Sequence, residues 1–142
     1  ALLVTIAANV ARARRRYGGP RVEVIGCPAR GGEIDLRALM REFGRRGWCN
    51  VLIEGGAHLA GSALGAGIVD RVDFFVAPIV IGAGTPAVEG LGFARVRDAI
   101  ALNDLSVRQL GGDLLMEADI ARRRRPHRGG PESGALVSLR RR

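Results

Sequence analysis

A carboxylate followed by two glycines is the part of the sequence best suited to chemistry. Glu54 ends an apolar run, and Gly55-Gly56 lead from it into a segment of small residues. Glycine lets the phosphates of a ligand approach the backbone, and the N–H groups at the start of a helix favour anions. These residues therefore predict a site for a phosphorylated ligand. The alternative is a tight turn, in which Glu54 only complements the dipole of the following helix.

A second glycine cluster, at residues 82–87, has the spacing of a dinucleotide-binding fingerprint. That fingerprint needs a helix directly after the glycines, but Pro86 and Gly90 interrupt any helix here. We therefore interpret the cluster as a loop at the end of a strand, bordering the same crevice as Glu54.

The remaining reactive side chains form no recognisable catalytic set. His58 follows the glycines, where it would either meet a phosphate or lie at the surface, and it has no second ligand at metal-site spacing. Ser62 and Ser106 lack a partnering base. We interpret Cys27 and Cys49 as small buried apolar residues. The sequence thus predicts no bound metal and leaves the catalytic residues unassigned.

Strands and helices alternate through the regions that must position Glu54. Apolar or alternating runs predict strands at residues 1–7, 21–25, 50–53 and 71–78. Helices are predicted at residues 10–17, capped by Asn9, and at residues 57–66. A third helix is predicted from residue 36; Asp35 caps it, Gly44 or Gly47 ends it, and its apolar stripe consists of Leu36, Leu39, Met40 and Phe43. Two further strands, residues 105–110 and 114–120, are joined by Gly111-Gly112-Asp113 as a hairpin.

This order predicts an α/β fold. We expect a three-layer α/β/α sandwich, with a mostly parallel mixed sheet that ends in a C-terminal antiparallel hairpin. In open α/β sheets, ligands bind beyond the carboxyl ends of the strands. The strand at residues 50–53 would deliver Glu54 to that edge.

The positive charge is concentrated at the end of the chain. Of a net charge of +8, residues 122–142 hold eight arginines and one acidic residue, so residues 1–121 are nearly neutral. Every basic residue is arginine, which suggests a coding bias of the genome more than a selected phosphate-binding surface. We predict a domain at residues 1–121 and a disordered arginine-rich tail at residues 122–142. A nucleic-acid-binding module using residues 122–125 is an alternative, disfavoured because no aromatic residues interleave there.

The length of the apolar runs also allows a prediction of the cellular location. The longest of them are far too short to cross a bilayer, and no signal peptide is visible. We therefore expect a cytoplasmic protein with no membrane partner.

Three linked stretches make the sequence similar to the reductase domain of bacterial riboflavin biosynthesis. They are LIEGGAHLAGSAL at residues 52–64, AGIVD at residues 66–70 and VAPIVIG at residues 76–82. The resemblance covers residues 1 to about 120. It implies a dihydrofolate-reductase-like fold, in a domain usually fused behind a zinc deaminase in the bifunctional pyrimidine deaminase/reductase.

The resemblance also implies a reaction and a site. Hydride passes from NADPH to the ribosyl C1′ of 5-amino-6-(5-phosphoribosylamino)uracil, and the sugar opens to a ribityl chain. Glu54 is implied to contact this ribose-phosphate substrate. The implied NADPH-binding residues are Gly56, Ala57, His58, Leu59, Ala60, Gly61 and Ser62. A homodimer is implied as well.

The sequence departs from this family at its start. The family's domain begins with strands that carry further substrate and nicotinamide contacts, and these would lie upstream of Ala1, so we expect an N-terminally truncated domain. The deaminase with its zinc site is absent from this sequence. A non-catalytic fragment that keeps the fold and a dimer surface is therefore an alternative. Arg12, Arg14 and Arg15 would suit a 2′-phosphate, although a solvated helix face is the favoured explanation.

Overall fold

Apart from one extra pair of short strands, helices and strands alternate up to residue 76 in the predicted order. The computed structural model describes residues 1–121 and the backbone of residues 136–139. The helices are α1 (Val10–Tyr17), α2 (Leu36–Arg45) and α3 (Ala57–Gly65), with 3₁₀ turns at Ala7–Asn9 and Val96–Asp98. The strands are β1 (Leu2–Ile6), β2 (Glu23–Cys27), β3 (Ala29–Arg30), β4 (Glu33–Ile34), β5 (Leu52–Ile53), β6 (Arg71–Val76), β7 (Leu102–Leu110), β8 (Asp113–Ile120) and β9 (Leu136–Leu139). The extra pair is β3–β4, which the sequence did not predict.

Two compact units make up the chain, Ala1–Gly47 and Trp48–Arg142. In the first unit, β1 and β2 pair in parallel, from Leu2 opposite Glu23 to Ile6 opposite Cys27. The turn and helix that connect them lie close to β2, because Gly26 has no side chain there. A Cβ at Gly26 would lie 2.6 Å from Cγ2 of Val10.

Helix α2 begins as predicted and carries the predicted apolar stripe. Asp35 caps the helix, its Oδ1 accepting a hydrogen bond of 3.0 Å from the N–H of Ala38. Leu39 and Phe43 are buried along one face. The helix ends at Arg45, and Gly47 then adopts a φ of +78°, a conformation that favours glycine.

Asn9 does not cap α1 in the predicted way. Its side chain makes no capping hydrogen bond, and its backbone lies in the helical region at φ −97° and ψ −2°. Capping needs an extended residue before the helix. The 3₁₀ turn at Ala7–Asn9 runs directly into α1 and removes that extended residue.

The second unit is built on a five-stranded sheet in the order β5-β9-β6-β8-β7. Strands β5, β9 and β6 are parallel, whereas β6–β8 and β8–β7 are antiparallel. The predicted hairpin is confirmed, with Gly111 at φ +64° in its turn. Its first strand begins three residues earlier than predicted and contains an irregularity between Asn103 and Ser106. Val72 and Ala118, both only 2% exposed, lie opposite each other in the β6–β8 pair.

The sheet layout differs from the single, mostly parallel sheet expected from the sequence. The described strands form three sheets, and the largest has as many antiparallel as parallel pairings. Alternating helices predict the direction of successive strands but do not determine which strands become neighbours. Strand β9 lies inside the segment predicted to be disordered; residues 122–135 and 140–142 of that segment lie outside the described residues.

Candidate functional site

Glu54 lies where the sequence places it, directly after β5. Ile53, the last residue of β5, is buried, and Glu54 is exposed. Because β5, β9 and β6 are parallel, their carboxyl ends meet at one edge of the sheet. Glu54 therefore presents a carboxylate to solvent at the edge where open α/β sheets bind ligands.

The two glycines after Glu54 bring the chain into α3. Gly56 precedes the helix in an extended conformation, is exposed, and offers no side chain for capping. A Cβ added at Gly56 would meet nothing within 4 Å, so the space beside the start of the helix is open. Gly55 is tighter, because a Cβ there would lie 2.5 Å from Cδ2 of Leu59. The first four N–H groups of a helix have no partner within it, and they attract negative charge.

The predicted cofactor residues divide into an exposed and a buried group. Gly56, His58 and Leu59 are exposed and Ser62 is partly buried, whereas Ala57, Ala60 and Gly61 are buried. The exposed group is the one that a ligand can reach from solvent. The buried group is small enough to let α3 pack closely on its neighbours.

A neighbour of α3 that the sequence did not single out is Glu89. Its N–H donates a hydrogen bond of 3.2 Å to the carbonyl of Ala57, and its own carbonyl lies against Gly61 with no room for a Cβ. Its carboxylate lies 3.8 Å from Nδ1 of His58, with both side chains largely in solvent. The loop after β6 thus closes over one side of α3, and the only sequence signal for it was the glycine-rich composition of this loop.

The second glycine cluster forms a loop, as interpreted from the sequence. Residues 77–95 contain no helix, so the strand-to-helix geometry of the dinucleotide fingerprint is absent from that stretch. The loop borders α3 through Glu89.

The two cysteines differ in their surroundings. Cys27 is buried as predicted, and burial raises the pKa of its thiol. Cys49 is exposed, so the prediction that it is buried was wrong. It follows α2 and precedes β5, in a stretch without regular structure that does not enclose it. Across residues 1–121, no group of three His, Cys, Asp or Glu side chains is arranged to hold a metal ion.

Two ion-pair clusters hold strands and helices together. In the first unit, Arg46 binds both Glu23, in two hydrogen bonds of 2.9 and 2.8 Å, and Glu42, at 2.8 Å. These hydrogen bonds lower the pKa of each carboxyl. In the second unit, Glu117 accepts from Arg108 at 3.0 Å and from Arg71 at 2.9 Å. The bond from Arg108 is the main cause of the lowered pKa of Glu117.

A cavity of about 650 Å³ lies in the first unit. None of the eight predicted site residues lines it; its wall includes Arg14, Gly18, Glu23 and Glu42. Arg14 donates a 3.4 Å hydrogen bond to the carbonyl of Val24, so its position in the cavity wall needs no bound ligand to explain it. Within the described ranges, no helix has the length and apolar character needed to span a membrane.

Known proteins similar to this chain include RibD proteins and a pyrimidinone phosphate reductase. RibD of Actinobacillus pleuropneumoniae is 36% identical over 99 residues, which are 68% of this chain and 26% of that protein. A protein of Methanothermobacter thermautotrophicus, named 2,5-diamino-6-ribosylamino-4(3H)-pyrimidinone 5′-phosphate reductase, is 33% identical over 99 residues, covering 68% of this chain and 45% of its own length. The chain thus spans about a quarter of the RibD relative and under half of the archaeal one.

The fold agrees with this relationship. A solved structure of RibD from Acinetobacter baumannii superposes with a TM-score of 0.61 at 23% identity, covering 85% of this chain and 37% of the other. At that identity the likeness shows the α/β fold. The model of the family described as the RibD C-terminal domain matches residues 3–116, which include Glu54, both site glycines and all of α3. The chain therefore belongs to the RibD C-terminal domain family.

Proposed function

We propose that this chain carries out the NADPH-dependent reduction of the ribosyl group of 5-amino-6-(5-phosphoribosylamino)uracil in riboflavin biosynthesis. The observation that carries the proposal is Glu54-Gly55-Gly56 at the carboxyl edge of parallel strands, leading into the open start of α3. Membership of the RibD C-terminal domain family supports it. The name of the archaeal relative supports a phosphorylated ribosylaminopyrimidine as the class of substrate.

The start of α3 fits the pyrophosphate of a nicotinamide cofactor. Gly56 leaves open space where a side chain would stand, and the helix dipole favours an anion there. His58 and Leu59, both exposed in the first turn, would border the bound group. Ala57, Ala60 and Gly61 would act indirectly, by keeping α3 packed so that its first N–H groups stay in place.

Glu54 fits the sugar of the substrate better than its phosphate. An ionised carboxylate only accepts hydrogen bonds, so it suits hydroxyl donors and repels an anion. The chemistry that the cofactor supplies is a hydride for C1′; the bond from C1′ to the ring oxygen breaks, and that oxygen takes up a proton. Holding the sugar beside the cofactor in a fixed orientation is then the contribution of Glu54.

The test of the cofactor site is Gly56→Ala in the full chain. The added methyl group meets no protein atom within 4 Å, so the fold should be kept with at most a small loss of helix capping, but the methyl group would occupy the space proposed for pyrophosphate. We expect at least about tenfold weaker NADPH binding, about 1.4 kcal/mol, measured by calorimetry. The matched control is Gly44→Ala in α2, where an added Cβ also meets nothing within 4 Å. Equal NADPH affinity in both variants would remove α3 from the cofactor site.

The test of the substrate site is Glu54→Gln. The amide keeps the shape of the side chain but loses its charge and part of its accepting capacity. We expect the affinity for the ribosylaminopyrimidine to fall by about tenfold or more, with NADPH affinity nearly unchanged. Equal losses for both ligands would contradict the assignment. NADPH binding without any substrate-dependent oxidation of NADPH would favour the non-catalytic alternative.

A homodimer is also part of this proposal. Strands β6, β8 and β7 carry apolar side chains on one face near the hairpin turn, and Val76, Leu114 and Val107 are each about half exposed there. A second copy of the chain would remove this surface from water. The three-layer arrangement and the cytoplasmic location stay predictions.

A further inference from the structure

Strand β5 depends on β9 for its place in the sheet. It is only two residues long, and in the described part of the chain it pairs with β9, Leu52 opposite Leu136 and Ile53 opposite Val137. Strand β6 pairs with β8 over six residues on one side and with β9 over four residues on the other. Strand β9 is therefore the backbone link between β5 and the remaining three strands.

This linking strand comes from outside the part of the chain that defines the family. The family match ends at residue 116, and β9 begins at Leu136. Strand β9 pairs on both edges, and no other described strand lies between β5 and β6. The matched region therefore leaves a strand position between β5 and β6 open, and a segment from elsewhere takes it.

The geometry of the position defines what can enter it. Neighbouring strands are about 4.8 Å apart, so β5 and β6 are held about 10 Å apart and admit one extended segment. The pairings on both sides are parallel, which fixes its direction. An occupant must offer N–H and C=O groups along both edges, which excludes proline. The strands on both sides are rich in apolar residues, Leu52 and Ile53 on β5 and Val72 and Phe74 on β6.

We infer that the gap between β5 and β6 is a strand-acceptor site, filled in this chain by its own Leu136–Leu139 and able to take another apolar, proline-free segment in the same direction. The segment LVSL has the composition that the site requires. Because Glu54 follows β5 directly, the occupant also fixes the position of that carboxylate. The inference does not depend on the proposed reaction.

The first test is cross-linking in the full chain. Asp73 and Ser138 are register partners, so their Cα atoms lie at about the strand spacing, within the range of about 4.4–6.8 Å that a disulfide spans. With Cys49→Ser as background, the pair Asp73→Cys and Ser138→Cys should oxidise within one chain. The control pair, Asp73→Cys and Leu136→Cys, is two residues out of register, about 8 Å apart, and should not. No disulfide in the register pair, or a disulfide between two chains, would overturn the assignment.

The second test avoids new cysteines. Hydrogen exchange of the unaltered chain should show protected amides in β5 and on the edge of β6 that faces β9. Val137→Pro should remove that protection, while the amides in the β6–β8 and β7–β8 pairs keep theirs. Ser133→Pro adds a proline outside β9 and should leave the protection unchanged. A synthetic peptide of residues 135–140, added in excess to the Val137→Pro chain, should restore it. Protection of β5 that survives Val137→Pro, or that the peptide fails to restore, would overturn the inference.

Discussion

Gly56 directly precedes α3 and Gly61 lies in the middle of that helix, and the structure requires glycine at only one of them. Beside Gly56 the space is open, whereas the carbonyl of Glu89 lies against Gly61. Glycine at position 61 therefore serves packing, and glycine at position 56 has no packing reason. A residue that packing does not require is a better candidate for ligand contact.

This difference gives a prediction for Gly61→Ala. The new methyl group would collide with backbone of the loop, which cannot move aside as a flexible side chain would, so we expect a destabilisation of about 1–3 kcal/mol. Chemical denaturation measures it. The control is Gly65→Ala in the same helix, whose Cβ would lie 3.7 Å from Cδ2 of Leu91, an ordinary contact. Stability of Gly61→Ala equal to that of the control would show that the loop does not rest on α3.

At the scale of elements, local signals were the ones that the sequence made predictable. The cap at Asp35, the apolar stripe of α2 and the hairpin turn at Gly111 depend on residues within a few positions of each other. The place of β9 between two strands more than 60 residues earlier in the chain depends on contacts that no local pattern encodes. The same limit explains Glu89, whose role comes from the backbone of a distant helix rather than from its own residue type.

The residues of the candidate site were likewise predictable only where the sequence signal was local. Glu54 and Gly56 were identifiable because a carboxylate and glycines between a strand and a helix form a local pattern. Burial of Ala57 and Gly61 was not, because the loop backbone at Glu89 contacts both of them. Asn9 failed as a cap for a related reason, since the 3₁₀ turn before it changed its backbone conformation.

The prediction at the scale of elements concerns the apolar face that β6, β8 and β7 form near the hairpin turn. If two copies associate through it, Val107→Arg places a charge in an apolar contact and should shift the chain towards monomer. Sedimentation at several concentrations measures the shift, which we expect to be at least tenfold in the dissociation constant. Val96→Arg is the control, because Val96 is 94% exposed in a 3₁₀ turn outside the three strands. An unchanged dissociation constant for Val107→Arg would place any dimer contact elsewhere.

At the scale of the whole molecule, both units share a dependence on ionised carboxyls. The pKa values of Glu23, Glu42 and Glu117 are all lowered in the folded chain, in each case chiefly by a hydrogen bond from arginine. A carboxyl with a lowered pKa stabilises the fold fully above its ordinary value, near 4.5, and loses that contribution as the pH falls. Each unit should therefore lose stability on acidification below about pH 5.

The measurement is thermal unfolding across that range, combined with hydrogen exchange to separate the two units. In Arg46→Met, the first unit should lose part of its pH dependence, because Glu23 loses the arginine that lowers its pKa and Glu42 keeps only Arg45, 2.6 Å away. The second unit, whose Glu117 pairs with Arg71 and Arg108, should keep it. A first unit as sensitive to acid as before would show that Arg46 is not the cause.

The contact between Glu89 and Gly61 has a consequence for the route by which a molecule reaches Glu54. The backbone of the loop at Glu89 contacts the backbone of α3 at Gly61, so the loop cannot move closer to α3 when a ligand binds. The loop therefore bounds α3 on that side. The open side of α3 is at Gly56, so a bulky side chain introduced there should hinder the access of a ligand. A side chain of equal size on the far side of the loop should leave that access unchanged.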